Sequence, residues 1–244
     1  HLIDLADPSD DFTVARFQRD FRAAMADIEA RQKRALLVGG TGLYLRAVVD
    51  DLAIPGQYPE TRRELEEEPD TVGLHRRLAG LDPVAAGRME PTNRRRVVRA
   101  LEVTLGSGRP FSSFGPGLEA YPAVPFRQVG LHVEPDVLGR RIADRYRAQM
   151  AAGFLEEVRR LVDRPAGLSR TARQALGYKE LLAHLQGECD LETALDTAIA
   201  RTRRFARRQR VWFRRDPRIT WIPTDGDNLF AVAAEVLVDW ARCA

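Results

Sequence analysis

Leu36-Leu37-Val38-Gly39-Gly40-Thr41-Gly42-Leu43-Tyr44-Leu45 decides how the chain is read. Leu36 to Val38 is an apolar run of the kind that forms a fully buried strand. Gly39, Gly40 and Thr41 make a turn, and an apolar helical pattern begins at Gly42. Glycines at the carboxyl end of a buried strand let a ligand approach the backbone. The next helix offers free N–H groups and the positive end of its dipole, which suit a phosphate or a polar reacting group. Open α/β sheets bind ligands at that edge. The same string also serves as a plain strand-to-helix connector, so the turn alone leaves both readings open.

Working outward, Asp7-Pro8-Ser9-Asp10 reads as a turn. Val14, Phe17, Phe21, Ala24 and Ile28 recur at helical spacing between Thr13 and about Lys33, with Thr13 or Asp11 as cap. Helix, strand, turn and helix in succession predict a parallel α/β layer. After Leu52 the character changes: a break at 54–59 and an acidic helix around 60–68 are followed by a patch at Leu74–Leu81. Next come a start at Asp82-Pro83, a helix over 94–105 and a Gly-, Pro- and Ser-rich loop over 106–125. No strand pattern occurs between 53 and 122, which predicts an all-helical insertion. Val129, Leu131 and Val133 alternate and restore a strand. Beyond it we expect a helix from an Asp136 cap through Phe154, with Gly153 weakening its end, one at 172–186, and a long one from an Asp190 cap to Arg215. A short strand at 219–222 and a closing helix at 228–242 complete the pattern. The domains are therefore 1–52 with 123–244 as an α/β core, and 53–122 as the insertion.

At 244 residues, with 44% hydrophobic and 30% charged residues, the chain fits a globular protein with a real core. No apolar run approaches the ~20 residues of a membrane span, and no secretory signal is visible. Cys189 and Cys243 have neither ligand nor disulfide spacing, which points to a reducing cytoplasm. His75, His132 and His184 are isolated and suggest no metal site. The net charge is only +3, but basic residues crowd 94–99 and 201–218 while acids crowd 60–70. Between 201 and 218 there are nine arginines and one acid, Asp216. At 100° per residue, Arg201, Arg204, Arg208 and Arg215 share a stripe, and Arg203, Arg207, Arg210 and Arg214 its neighbour. Solvated helix faces ordinarily mix signs to gain i,i+4 pairs. A single-sign arginine arc fits phosphates, which guanidinium grips bidentately. The phosphate-loop pattern Gly-x-x-x-x-Gly-Lys-Ser/Thr does not occur.

Val38-Gly39-Gly40-Thr41-Gly42-Leu43-Tyr44 resembles the signature of the tRNA dimethylallyltransferases. Four further stretches match that family in order: His1-Leu2-Ile3-Asp4, Arg95 to Val103, Gln174-Ala175-Leu176-Gly177-Tyr178-Lys179-Glu180, and Arg207 to Arg214. The resemblance runs from His1 to about Trp221. It implies a P-loop-NTPase-like parallel sheet core with the helical insertion. It also implies transfer of a dimethylallyl group from dimethylallyl diphosphate, with Mg2+, to N6 of an adenosine beside the anticodon, in tRNAs reading codons that begin with U. Family members carry a phosphate loop and a general-base aspartate upstream of the first matching motif. The chain is accordingly expected to lack that segment, to leave its sheet incomplete with an exposed apolar groove or a strand from another chain, and to transfer little by itself.

The resemblance also implies roles. Thr41 is the catalytic candidate at the middle of the reaction channel; the plain alternative is a cap for the 42–51 helix. Gly39, Gly40 and Arg173 are candidates on the diphosphate side. Gln174 and Lys179 would supply an amide and a cation beside the flipped adenine. Arg62, Arg95, Arg96, Arg99, Arg207, Arg208, Gln209 and Arg214 would contact tRNA. No metal ligand is expected within the chain, which is expected to act as a cytoplasmic monomer. The alternatives are an isopentenyltransferase acting on free adenine nucleotides and a non-catalytic RNA-binding fragment.

Overall fold

The computed structural model describes residues 1–224, 228, 231–234, 236 and 238. The chain divides into two compact units, His1–Leu45 with Val124–Ala244, and Arg46–Ala123.

In the first unit, α1 (Val14–Ala30) starts where Thr13 Oγ1 accepts the Arg16 N–H at 3.2 Å. Its Phe17 ring lies 5.0 Å from that of Tyr44, whose hydroxyl donates to Phe12 O. Burial pushes the Tyr44 phenol up from its ordinary value. Tyr44 belongs to α2 (Gly42–Val49). Strands β1 (Gln128–His132) and β2 (Ile219–Pro223) pair in parallel, with Gly130 opposite Trp221. A side chain at Gly130 would collide with the Trp221 ring, 2.8 Å away, so the glycine lets the indole lie across the sheet.

The helices between these strands hold the core. Helix α7 (Pro135–Ala151) and α8 (Phe154–Val162) replace the single helix expected there, because Gly153 takes φ +91°. Asp136 is not the cap of α7. Pro135 occupies the first helical turn, Glu134 precedes it, and Asp136 sits inside that turn, where its charge faces the dipole. The helix expected at 172–186 is likewise broken, by Gly177 at φ +88°, into a 3-10 turn at Ala172–Gln174 and α9 (Tyr178–Leu185). Helix α10 (Leu191–Phe213) is capped by Asp190, which accepts the Thr193 N–H at 2.7 Å. Ile142, Tyr146, Phe154, Val158, Leu181 and Ala198 pack together as the core of this unit. The Tyr146 hydroxyl meets Thr202 Oγ1 at 2.9 Å, joining α7 to α10 inside it.

One expectation fails outright. Residues 35–38 form no strand: Leu36 is 67% and Val38 82% exposed. Apolar character does not make a strand without a ladder partner. Strands β1 and β2 pair with each other, and among the described residues nothing pairs with 35–38. The described sheet is parallel, as expected, and consists of β1 and β2. Of the closing helix, 231–234, 236 and 238 are helical. Leu229, Trp240 and Cys243 lie outside the described residues.

The second unit is helical throughout its described secondary structure: α3 (Pro59–Glu67), α4 (Thr71–Leu81), α5 (Pro83–Gly87) and α6 (Arg94–Ser107). Leu65, Leu74, Leu78, Val97, Val98 and Leu101 form its core. The buried Asp82 caps α5 by accepting the Ala85 N–H at 2.9 Å, and also accepts the Ser112 N–H at 2.7 Å. Burial alone would raise its carboxyl, but these hydrogen bonds and the Arg88 charge hold it below the ordinary value of 3.8. A depressed folded pKa means stability that is present above about pH 4 and lost as pH falls through the lower folded value. Asp82→Asn is therefore expected to cost about 1–2 kcal/mol at neutral pH. The gap to the native protein should narrow in urea titrations run toward acid pH. An equal gap at every pH would show that the charge contributes nothing.

Arg46 closes this unit on itself. Its guanidinium pairs with Asp50 and donates to Leu118 O at 2.9 Å and to Ala120 O at 2.7 Å. It also lies 4.5 Å from the centre of the Tyr121 ring. One side chain thus ties the helix at the start of the unit to the irregular segment at its end.

Candidate active site and RNA-facing surface

Thr41 is exposed at the start of α2. Its carbonyl accepts the Leu45 N–H at 3.0 Å, the first bond of that helix. Gly40 O accepts from Gln209 Nε2 at 2.7 Å, so α10 is docked directly on the turn. Glycines 39, 40 and 42 do not have positive φ. The freedom that glycine gives here is one of space, not of backbone conformation.

A second group gathers before α9. Gln174 Oε1 accepts from Lys179 Nζ at 3.2 Å, and both side chains are exposed. The turn between them is fixed by Glu180, which is buried. Its Oε2 accepts the Gly177 N–H at 2.9 Å and its Oε1 pairs with Arg201 of α10. Gly177 has no room for a side chain: a methyl group there would fall 2.9 Å from the Phe154 ring. Tyr178 donates to Glu157, and burial together with that carboxylate pushes its phenol up to about 12. Tyr178 is therefore a packing and bridging residue that stays protonated. Arg173 reaches back to Leu168 O at 3.3 Å. The loop ahead of it is tied to the N-terminal turn by Arg164 on Asp7 at 2.6 Å and by the Ser169 N–H on Pro8 O at 2.9 Å.

The two groups share α10. Arg201 holds the Gly177 turn and Gln209 holds the Gly40 turn, about 12 Å apart along the helix axis at 1.5 Å per residue. On the outer arc the arginines divide. Arg203 donates to Gly139 O at 3.0 Å, while Arg208 lies over the Phe205 ring at 5.8 Å. Arg204, Arg207, Arg208, Arg214 and Arg215 are exposed, and among the described residues no carboxylate pairs with any of them.

In the helical unit Arg95 and Arg96 are exposed and have no side-chain partner among the described residues. Arg62 and Arg99 are different. Both grip Glu102, at 3.3 and 2.8 Å, and Glu102 is 1% exposed. The Tyr58 N–H donates to the same carboxylate at 2.9 Å. Arg62 also reaches Glu66 at 2.8 Å, and Arg99 reaches Pro55 O at 2.9 Å. Much of their donor capacity is thus spent inside the unit. Neither Glu102 nor Glu180, nor the Arg46 clasp, stands out in the sequence. Glu180 stands at N3 of α9, three residues after Gly177, where its side chain reaches back to the Gly177 N–H.

Residues 1–216 match the family model described as IPP transferase. A tRNA dimethylallyltransferase of a Nocardioides species is 44% identical over 240 residues, covering 97% of this chain and 77% of the relative. The chain belongs to the IPP transferase family. A Kineococcus radiotolerans tRNA dimethylallyltransferase is 46% identical, over 97% of this chain and 75% of its own length. The full-length tRNA isopentenylpyrophosphate transferase of Bacillus halodurans superposes with a TM-score of 0.64 at 34% identity, over 98% of this chain and 77% of that one. This IPP transferase has the α/β fold with a parallel sheet, and no described helix is long and apolar enough to cross a membrane. Among its described residues no three His, Cys, Asp or Glu side chains gather as metal ligands. What the chain presents is a hydroxyl at Thr41, an amide and a cation at Gln174 and Lys179, and, on α6 and α10, guanidinium groups that pair with no carboxylate among the described residues.

Proposed function

We propose that this chain contributes to transfer of a dimethylallyl group from dimethylallyl diphosphate to the exocyclic N6 of an adenosine beside the anticodon, in tRNAs reading codons that begin with U. The N6–C bond forms as the allylic C–O bond breaks. Diphosphate leaves with the bonding pair, and the N6 proton passes to a base. That amine is a poor nucleophile because its lone pair is delocalised into the ring. Removing its proton, neutralising the leaving group and excluding water from the allylic centre are the three available aids.

Thr41 Oγ1 is a donor and acceptor for the acceptor amine. Gln174 and Lys179 flank the extruded base, which must leave its stack to react. Gly39, Gly40 and Arg173 face the diphosphate. Mg2+ would share the diphosphate charge. Residues 53–122 hold the anticodon arm through Arg95 and Arg96, with Arg62 and Arg99 set by Glu102. Arg207, Arg208, Gln209 and Arg214 hold it from α10. Phosphate contacts position the stem-loop and base contacts in its loop select it. The protein works as a monomer in the cytoplasm, where the tRNA is.

The observation carrying this reading is the exposed arginine arc of α10, which no carboxylate neutralises among the described residues and which is anchored through Gln209 to the Thr41 turn. The experiment is label transfer from dimethylallyl diphosphate to an anticodon stem-loop. It is run with this chain alone and with a relative's phosphate-loop segment joined ahead of His1. Stem-loop binding by both forms and transfer by the joined form are expected. Binding by neither form, or transfer to free adenine nucleotides in preference to the stem-loop, would overturn it.

A further inference from the structure

Two glycines of the Thr41 turn, Gly40 and Gly42, lie against α10. A methyl group at Gly42 would enter the Trp212 indole, 2.6 Å from Cε2, and one at Gly40 would fall 2.5 Å from Gln209 Nε2. Gly39 by contrast meets only Leu45, at 3.7 Å. Gln209 and Trp212 stand three apart on α10 and so share a face. On the other side of the turn, 35–38 has no ladder partner among the described residues. The turn is held by its own helix and by these two side chains.

We propose that Trp212 is a positioning residue for Thr41. The indole, with the Gln209 amide beside it, sets where the Gly40-Thr41-Gly42 peptide stands relative to α10. Gly42 is glycine to admit the indole, not a ligand. The proposal rests on the role given to Thr41 above. It adds that the arginine helix does two jobs: its outer arc meets RNA, and its inner face fixes the reacting hydroxyl.

The test pairs a stability cycle with a base-extrusion readout. Gly42→Ala should lower the thermal midpoint in the native background. In a Trp212→Phe background, where the ring is smaller, it should lower it by less than half as much. An anticodon stem-loop carrying 2-aminopurine in place of the acceptor adenosine reports unstacking of that base. Trp212→Phe should bind it within about threefold of native affinity, yet show less than half of the native fluorescence rise at saturation. Equal cost of Gly42→Ala in both backgrounds would overturn the proposal. So would a full fluorescence rise, or a more than tenfold loss of affinity with that rise intact, which would make Trp212 an RNA contact. If the native protein binds no stem-loop, the proposed function falls, while the stability cycle still decides whether indole and glycine are coupled.

Discussion

Replacing Arg46 by alanine is expected to cost about 3–5 kcal/mol of stability, the usual penalty for breaking a buried ion pair from one side. Arg46 is 5% exposed and its partner Asp50 is buried with it. The substitution takes the guanidinium away from that buried carboxylate and also leaves Leu118 O and Ala120 O without the donor they now share. Arg46→Lys retains the charge but cannot reach three acceptors with a planar fork, so it is expected to recover only part of the loss. Urea unfolding followed by far-UV circular dichroism measures this directly. A loss below 1 kcal/mol for Arg46→Ala would show that the clasp is not what closes residues 46–123.

Changing Arg207, Arg208 and Arg214 together to alanine is expected to weaken anticodon stem-loop binding about 100-fold near physiological salt. This takes ~1 kcal/mol for each guanidinium–phosphate interaction that is removed. The slope of log K against log salt should fall by about 2–3, close to one counterion for each arginine replaced. Removing exposed arginines that pair with no described carboxylate should leave the thermal midpoint unchanged or higher, since their mutual repulsion goes with them. Weakened binding with an unaltered salt slope would mean that these residues act through the fold and not through phosphates. Titrations at several salt concentrations separate the two.

The sequence made the helical part of the fold legible wherever a cap and a period agreed. Thr13, Asp82 and Asp190 start helices as their side chains suggest. It is misleading where one residue's backbone overrides a long period. Gly153 is visible as a weak point, but Gly177 sits in an otherwise helical pattern, and its positive φ cannot be told from a tolerated helical glycine by spacing alone. Leu36-Leu37-Val38 shows the complementary limit, because a strand is a property of a pair and the sequence displays only one member. The Gly-Gly-Thr-Gly string reads as room for a ligand. Its geometry gives the room at Gly42 to Trp212, a contact that lies about 170 residues away along the chain and leaves no local trace.

The candidate site was legible mainly through ordered motifs. Chemistry alone could mark the α10 arc, because unneutralised like charges are unusual, but not which arginines are free. Arg62 and Arg99 look like Arg95 and Arg96 in sequence, and only the buried Glu102 separates them. Buried carboxylates such as Glu102 and Glu180 are invisible in composition, where they pass for surface charge.

The proposed chemistry requires the Thr41 turn to meet the acceptor base. Photocrosslinking reads that contact, using an anticodon stem-loop with 8-azidoadenosine at the acceptor position and peptide mapping of the adduct. Adducts are expected within Gly39–Leu45 and Gln174–Lys179, and they should disappear when unlabelled stem-loop competes. Competable adducts confined to residues 53–122, with none at either turn, would contradict the proposed site.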